Sequence, residues 1–240
     1  VLLGRPAAPG QSRARSFLAE VKDGQLNLRF GTDAVGVCYG GSSSISWFLN
    51  GLLIRKAESK DKDLISSAEK GSLREWAVLG PFKDKDCEAL YDITMPIEQK
   101  VDFTKEYNGL GGKISWQVFK DQNKKGFAII SFADLFKKYE EVYAYAATHL
   151  HVRKKTKVKL YIGTTGLAKV WLNGKEILLD EVNNGLREDE YIIPIELKRG
   201  WNMLLLKVCN NWHRAWAFCA GVTNINDKPL KEVTISAYQK

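Results

Sequence analysis

Leu167-Ala168-Lys169-Val170-Trp171-Leu172-Asn173-Gly174-Lys175-Glu176-Ile177-Leu178 runs apolar up to an Asn-Gly corner and resumes apolar directly beyond it. Both corner residues of the favoured two-residue turn need positive φ, which Asn and Gly tolerate best, so the stretch predicts a tight antiparallel hairpin. The flanking sequence supplies further segments of strand length. Val142 to Val152 alternates, with Ala144, Ala146, Thr148, Leu150 and Val152 on one face and Tyr143, Tyr145, Ala147, His149 and His151 on the other. Val158 to Ile162 follows with Lys155, Lys157 and Lys159 set against Val158 and Leu160, the pattern of a half-wet strand. Glu190 to Leu197 carries an internal Pro194, which places it at an edge or a bulge. Met203 to Val208, Ala215 to Val222 and a closing Glu232 to Tyr238 complete the set.

Upstream, Trp76 to Phe82 reads as a strand stopped by Gly80-Pro81, and residues 83–112 as a long irregular excursion. Lys113 to Phe119 reads as a strand and Phe132 to Phe136 as a helical turn. About nine strands from Trp76 onward predict an all-β fold, an antiparallel jelly-roll-like β-sandwich. Residues 1–55 form a smaller N-terminal β segment, built on the hairpin Phe17 to Phe30 and on Ile45 to Ile54 around Asn50-Gly51. Residues 56–74 read as a charged linker with a short helix near Leu64 to Lys70, and residues 75–240 as the sandwich.

Composition narrows the function classes. The 240 residues carry a formal charge of +8, from 36 Lys and Arg against 28 Asp and Glu. Basic residues are scattered and interleaved with acids, as on a solvated surface, so no nucleic-acid partner is expected. No apolar run is long enough for a transmembrane helix. The four cysteines, Cys38, Cys87, Cys209 and Cys219, match neither zinc-site nor redox-dithiol spacing. A hairpin folded about Trp212 sets Cys209 opposite Ala215 and Cys219 opposite Leu205, a register that disfavours a direct bridge. Phosphate-loop, nucleophile-elbow and HExxH motifs are missing.

The densest set of ligand-type groups is Asn210-Asn211-Trp212-His213-Arg214, in a loop at a sandwich end. Asn and Arg offer directional hydrogen bonds to hydroxyls and carboxylates, and an indole face stacks on a pyranose ring. Turn chemistry and core covering explain the same residues without a ligand. Tyr143 and Tyr145 form either a stacking platform or inter-sheet packing. His149 and His151, at i and i+2, lack a third metal ligand in the nearby sequence, so no metal site is assigned. Asp180, Glu181, Glu188, Asp189 and Glu190 surround Asn183-Asn184-Gly185 in a loop that suits structural calcium but reads first as solvated. No other cofactor is expected.

Two resemblances sharpen this reading. Val21-Lys22-Asp23-Gly24-Gln25-Leu26-Asn27-Leu28-Arg29-Phe30, followed by Leu49-Asn50-Gly51-Leu52-Leu53-Ile54, resembles the last strands of malectin-like sugar-binding sandwiches, which implies that the start of such a domain lies upstream. Trp76 to Phe82, Val170-Trp171-Leu172-Asn173-Gly174-Lys175, Gly200-Trp201-Asn202 leading into Leu204 to Val208, and Trp216-Ala217-Phe218 resemble the framework of galactose-binding-like jelly rolls. Trp76, Trp171, Trp201 and Trp216 would then be core residues. The resemblance implies a non-catalytic accessory module of an exported, extracytoplasmic multidomain protein, which binds carbohydrate or packs on a catalytic neighbour domain within a larger polypeptide or complex. A structural protein–protein interaction module is the main alternative. A lyase-type enzyme requires His213, Arg214 and a tyrosine to meet in one groove.

Overall fold

The computed structural model describes residues 71–85, 87–91, 95–122, 127–137, 140–181, 185–210, 215–230 and 232–238. Readings made on residues 1–55, the malectin-like strands and Cys38 among them, lie outside the described residues, as do the short helix near residue 64 and Asn211 to Arg214.

The fold is an antiparallel two-sheet sandwich. Its described strands are β1 (Glu75–Lys83), β2 (Tyr107–Gly109), β3 (Gly112–Ile114), β4 (Gln117–Lys120), β5 (Ile130–Ser131), β6 (Val142–Val152), β7 (Thr156–Thr164), β8 (Ala168–Leu172), β9 (Lys175–Asp180), β10 (Tyr191–Leu197), β11 (Gly200–Asn210), β12 (Ala217–Asn224) and β13 (Val233–Ser236). Short helices α1 (Pro96–Gln99) and α2 (Phe132–Phe136) interrupt them. The larger sheet runs β4-β1-β6-β11-β8-β9, and β13 pairs with β6 past the point where β1 leaves it. The smaller runs β10-β7-β12-β5.

The opening hairpin forms as expected: Leu172 pairs with Lys175, and Asn173 and Gly174 take φ 52° and 79°. Its corner is also tied sideways. Asn173 Nδ2 donates to Asn202 Oδ1 at 3.0 Å, and Asn173 Oδ1 accepts from the Met203 amide at 3.0 Å. Asn202 in turn accepts from the Lys198 amide at 2.8 Å and donates to the Lys198, Gly200 and Leu150 carbonyls. One buried amide therefore joins the Asn-Gly corner, the Lys198–Gly200 turn and β6, and all its polar capacity is used.

Strand β6 follows the expected alternation. Val142, Ala144, Ala146, Leu150 and Val152 enter the core between the sheets with Val158, Leu160, Leu204, Leu206, Phe218 and Val222. Trp76 and Trp216 are buried there, and their indole N–H groups donate to the Leu73 and Val208 carbonyls at 2.8 and 3.2 Å. The opposite face of the large sheet is covered as well, by residues 84–116, in a second core of Leu79, Phe82, Ile97, Tyr107, Trp116, Tyr143, Tyr145, Leu205 and Cys209. Cover on both faces explains why β11 reads as a near-continuous apolar run.

Several local expectations are corrected. Strand β1 does not stop at Gly80-Pro81 but runs through it, with its register against β6 shifting between Leu79 and Phe82. The predicted strand Lys113 to Phe119 divides into β3 and β4 around the buried Trp116. Gly71 to Arg74, read as linker, are seated on the sandwich: Ser72 bridges to Gly221, and Leu73 is buried. Strands β11 and β12 do not form a hairpin, because β11 pairs with β6 and β8 whereas β12 pairs with β5 and β7. Cys209 and Cys219 thus lie in different sheets, and the described cysteines are free thiols. Pro194, as expected, lies on an edge strand.

Candidate functional site

The outer face of the large sheet carries the chemistry. From one end to the other, β6 presents Tyr143, Tyr145, Ala147, His149 and His151, and β11 presents Cys209, Lys207, Leu205, Met203 and Trp201 beside them in register. Residues 84–116 close most of this face and leave one end open.

At the closed end lies an ion pair. Lys207, fully buried, places Nζ 2.7 Å from Glu98 Oε1 and also donates to the Ala89 carbonyl. Its ammonium sits 4.9 Å from the Tyr143 ring centroid and 5.7 Å from that of Tyr145. Tyr145 donates its hydroxyl to Glu98 Oε1 at 2.8 Å. Burial, then the negative charge of Asp84 at Tyr143 and of Glu98 at Tyr145, pushes both phenols above their ordinary value. They stay protonated, and Tyr145 remains a donor. Neither tyrosine forms a stacking platform, and neither belongs to the inter-sheet core: both pack beneath the excursion around an ammonium. The closed end also holds Asp84, Cys87 and Cys209, whose ligand atoms lie within 4.8 Å of one another.

His149 lies at the border. It is buried against Phe103 and its Nδ1 is 3.1 Å from the Ala237 carbonyl, so it packs rather than ligates. Burial holds its pKa below the ordinary value, partly offset by hydrogen bonds to Ala237 and Ser236.

Beyond His149 the face opens. Trp201, His151 and Thr234 stand side by side across β11, β6 and β13. The Trp201 and His151 rings meet at 5.0 Å and 63°. A polar groove of 240 Å³ lies there, lined by His151, Arg153, Glu232, Val233 and Thr234. It combines a guanidinium fork, a carboxylate, a hydroxyl and an imidazole, and the half-buried Trp201 indole meets that imidazole from β11. Trp201 is therefore not a core residue, unlike Trp76, Trp171 and Trp216. A second groove, of 230 Å³, runs between the Asn173-Gly174 corner and α1 and has Trp171 and Glu98 in its lining.

Of the loop picked out in the sequence, only Asn210 is described, and it is buried at the far end of β11 from Trp201. In the acidic loop, Asp180 turns inward, accepting from Thr164 Oγ1 at 2.9 Å and from the Tyr191 hydroxyl at 2.6 Å. That carboxylate serves the fold. The Trp201–His151–Thr234 row escaped the sequence reading because its members come from three separated strands. Lys207, a lone charge among Leu204, Leu205, Leu206, Val208 and Cys209, was the available signal for the ion pair.

No protein-family model matches the sequence, and no curated protein matches it. Part of the chain is similar in structure to a β-glucuronidase from Ruminococcus gnavus, solved with D-glucuronic acid, at 12% identity and a TM-score of 0.39, over 64% of this chain and 29% of that one. It is likewise similar to a β-glucosidase from Kluyveromyces marxianus, at 12% identity and a TM-score of 0.37, over 65% of this chain and 18% of that one. The chain spans less than a third of either, and nothing about activity or ligand follows from likeness at that level. No helix of the described residues is long and apolar enough to cross a membrane.

Proposed function

We propose that residues from about 71 onward form a non-catalytic accessory module of an exported protein, and that it binds carbohydrate in the groove beside Trp201. The carrying observation is the open end of the outer face, where an indole meets His151, one of the residues that line the groove together with Arg153, Thr234 and Glu232. A half-exposed indole offers a stacking face for the apolar side of a sugar ring. Arg153 supplies a bidentate partner for a carboxylate or a pair of hydroxyls, while Thr234 and Glu232 supply shorter-range hydrogen bonds. The resemblance of the sequence to the galactose-binding-like framework, which implies a jelly-roll path and an extracytoplasmic setting, favours the same reading.

The loop containing Trp212 remains a second site of this class. Trp201 and Asn210 stand at opposite ends of β11, nine residues apart and so roughly 30 Å along an extended strand. Single substitutions therefore separate the two. Retention of the chain on affinity gels of neutral and acidic polysaccharides is the test. Trp201→Ala is expected to abolish retention and Trp212→Ala to preserve it, and the reverse pattern moves the site to the loop. A chain that no glycan retains refutes carbohydrate binding. The alternative reading, a protein–protein interaction module, draws on exposed Val118 and Ile192 on the edge strands β4 and β10.

A further inference from the structure

Asp84 leaves the end of β1, Cys87 precedes the short 3-10 turn Glu88–Leu90, and Cys209 projects from β11 onto the covered face. All three are buried, and one ligand atom from each falls within 4.8 Å of the others. Asp84 Oδ1 is occupied, accepting from the Lys85 and Ala89 amides at 2.8 and 3.0 Å. Asp84 Oδ2 is buried and has no hydrogen-bond partner among the described residues. The Cys87 and Cys209 sulfurs lie within 4.8 Å of each other, side by side in the covered face. Cys87 adopts φ 60°, a conformation that disfavours residues with a Cβ, and it persists only where the surroundings impose it. A bare carboxylate oxygen in a sealed site is costly and calls for a cation or a proton.

We propose that Asp84, Cys87 and Cys209 form a binding site for one thiophilic divalent cation of the zinc type, which fastens the 84–116 cover to β11. Two sulfurs and one carboxylate oxygen are a donor set that zinc accepts, with a fourth tetrahedral position left for water. Bond lengths of about 2.3 Å to sulfur and about 2.0–2.2 Å to oxygen set the ligand atoms roughly 3.5–3.8 Å apart, so loading requires the cluster to contract by at most about 1 Å. The exchange balances in charge. One divalent cation enters, each thiol releases one proton to solvent, and the site keeps the single negative charge of Asp84. The neighbouring Lys207 ammonium, already paired with Glu98, therefore does not oppose loading. A Cys87–Cys209 disulfide would use the same sulfurs but would leave Asp84 Oδ2 unanswered.

The test is a Co²⁺ titration of the full chain after reduction and chelator treatment. Expected are one equivalent bound, a thiolate-to-cobalt charge-transfer band with tetrahedral visible bands, displacement by Zn²⁺, and release of two protons per metal. Cys87→Ser and Cys209→Ser are expected to remove the charge-transfer band, and Cys219→Ser to keep it. Asp84→Asn is expected to weaken binding by at least about 100-fold, since even outer-shell partners of a metal are worth about 10–100-fold. Circular dichroism checks that each variant folds. Absence of the band in the reduced wild-type chain overturns the proposal, as does a band that survives either cysteine substitution in the 87–209 pair. A native disulfide whose reduction still leaves a chain that takes up no Co²⁺ overturns it in favour of a redox pair.

Discussion

Replacing Lys207 by Met should destabilise the chain far more than replacing Lys207 and Glu98 together. The Lys207 side chain is 0% exposed and that of Glu98 9%, with 2.7 Å between the charged atoms. Met matches the length of the lysine stem but leaves Glu98, among the described residues, with only the Tyr145 hydroxyl as partner. Breaking one partner out of such a pair costs about 3–5 kcal/mol. At roughly 2–4 °C per kcal/mol for a chain of this size, the melting temperature should fall by about 6–20 °C. Glu98→Leu should cost less, about 2–3 kcal/mol, because a desolvated ammonium between aromatic faces retains up to about 2 kcal/mol of cation–π attraction. Lys207→Met/Glu98→Leu removes both charges and should lie within about 1 kcal/mol of the parent or above it. Thermal unfolding followed by near-ultraviolet circular dichroism measures all four corners of this cycle. Single variants that each cost less than about 1 kcal/mol would make the pair equivalent to a surface ion pair and refute its burial. A double variant that costs the sum of the singles would refute the coupling.

His149, held neutral by burial, has a folded pKa below its ordinary 6.5, so its contribution is complete above pH 6.5 and is lost as pH falls through the folded value. Urea midpoints should decline below pH 6.5, and His149→Gln should flatten that decline; an unchanged acid slope would exonerate the imidazole. Asn202→Ala strands the Lys198 amide and removes the tie to Asn173, which at about 1–3 kcal/mol per orphaned buried group should lower stability by about 3 kcal/mol or more. Gly174→Ala meets open space at φ +79° and should cost only the conformational penalty, about 1–2 kcal/mol by thermal melting. Burial, then the charge of Glu188, pushes the Cys219 thiol up to about 12, so iodoacetamide should leave it unlabelled at pH 9 in the native chain and label it after unfolding, as peptide mapping would show.

What could be read from the sequence was whatever is encoded locally. The Asn173-Gly174 corner needs only two residues of the right φ tolerance, and the alternation of β6 needs only its own period. The cover over the outer face has no such period. Ile97 reaches the second core from the one-turn α1, Tyr107 from β2, and Phe103 and Trp116 from irregular backbone, at spacings that share no regular period. Alternation alone leaves the partner of Tyr143 and Tyr145 open between a ligand and the inter-sheet core, and the cover buries both in a core of its own. An indication was present nonetheless, since small or apolar residues occupy both parities of β6 and β11, which means that both faces of those strands are covered. The crossover from β11 to β12 was hidden for a different reason. A polar loop between two apolar runs looks the same whether it closes a hairpin or carries the chain to the other sheet.

The manner in which the cover is held bears on where a ligand can bind. An irregular segment lying on a sheet has no ladder to fix its register, and apolar contacts alone allow it to slide. Here polar groups fix it at defined points: Glu98 and the Ala89 carbonyl on Lys207, Glu98 on the Tyr145 hydroxyl, and Cys87 beside Cys209. Those groups are spent on holding the cover. Phe103, packed at tilted and edge-on angles among the rings of Trp116, His149 and Tyr238, ends the sealed region, and the next outward-facing residue on β6 is His151 in the open groove. The same face is thus divided by Phe103 into a sealed interior that specifies structure and an open rim, where the proposed binding groove lies. Substitutions at Trp201 should therefore alter binding while leaving stability nearly untouched, whereas those at Lys207 should do the opposite.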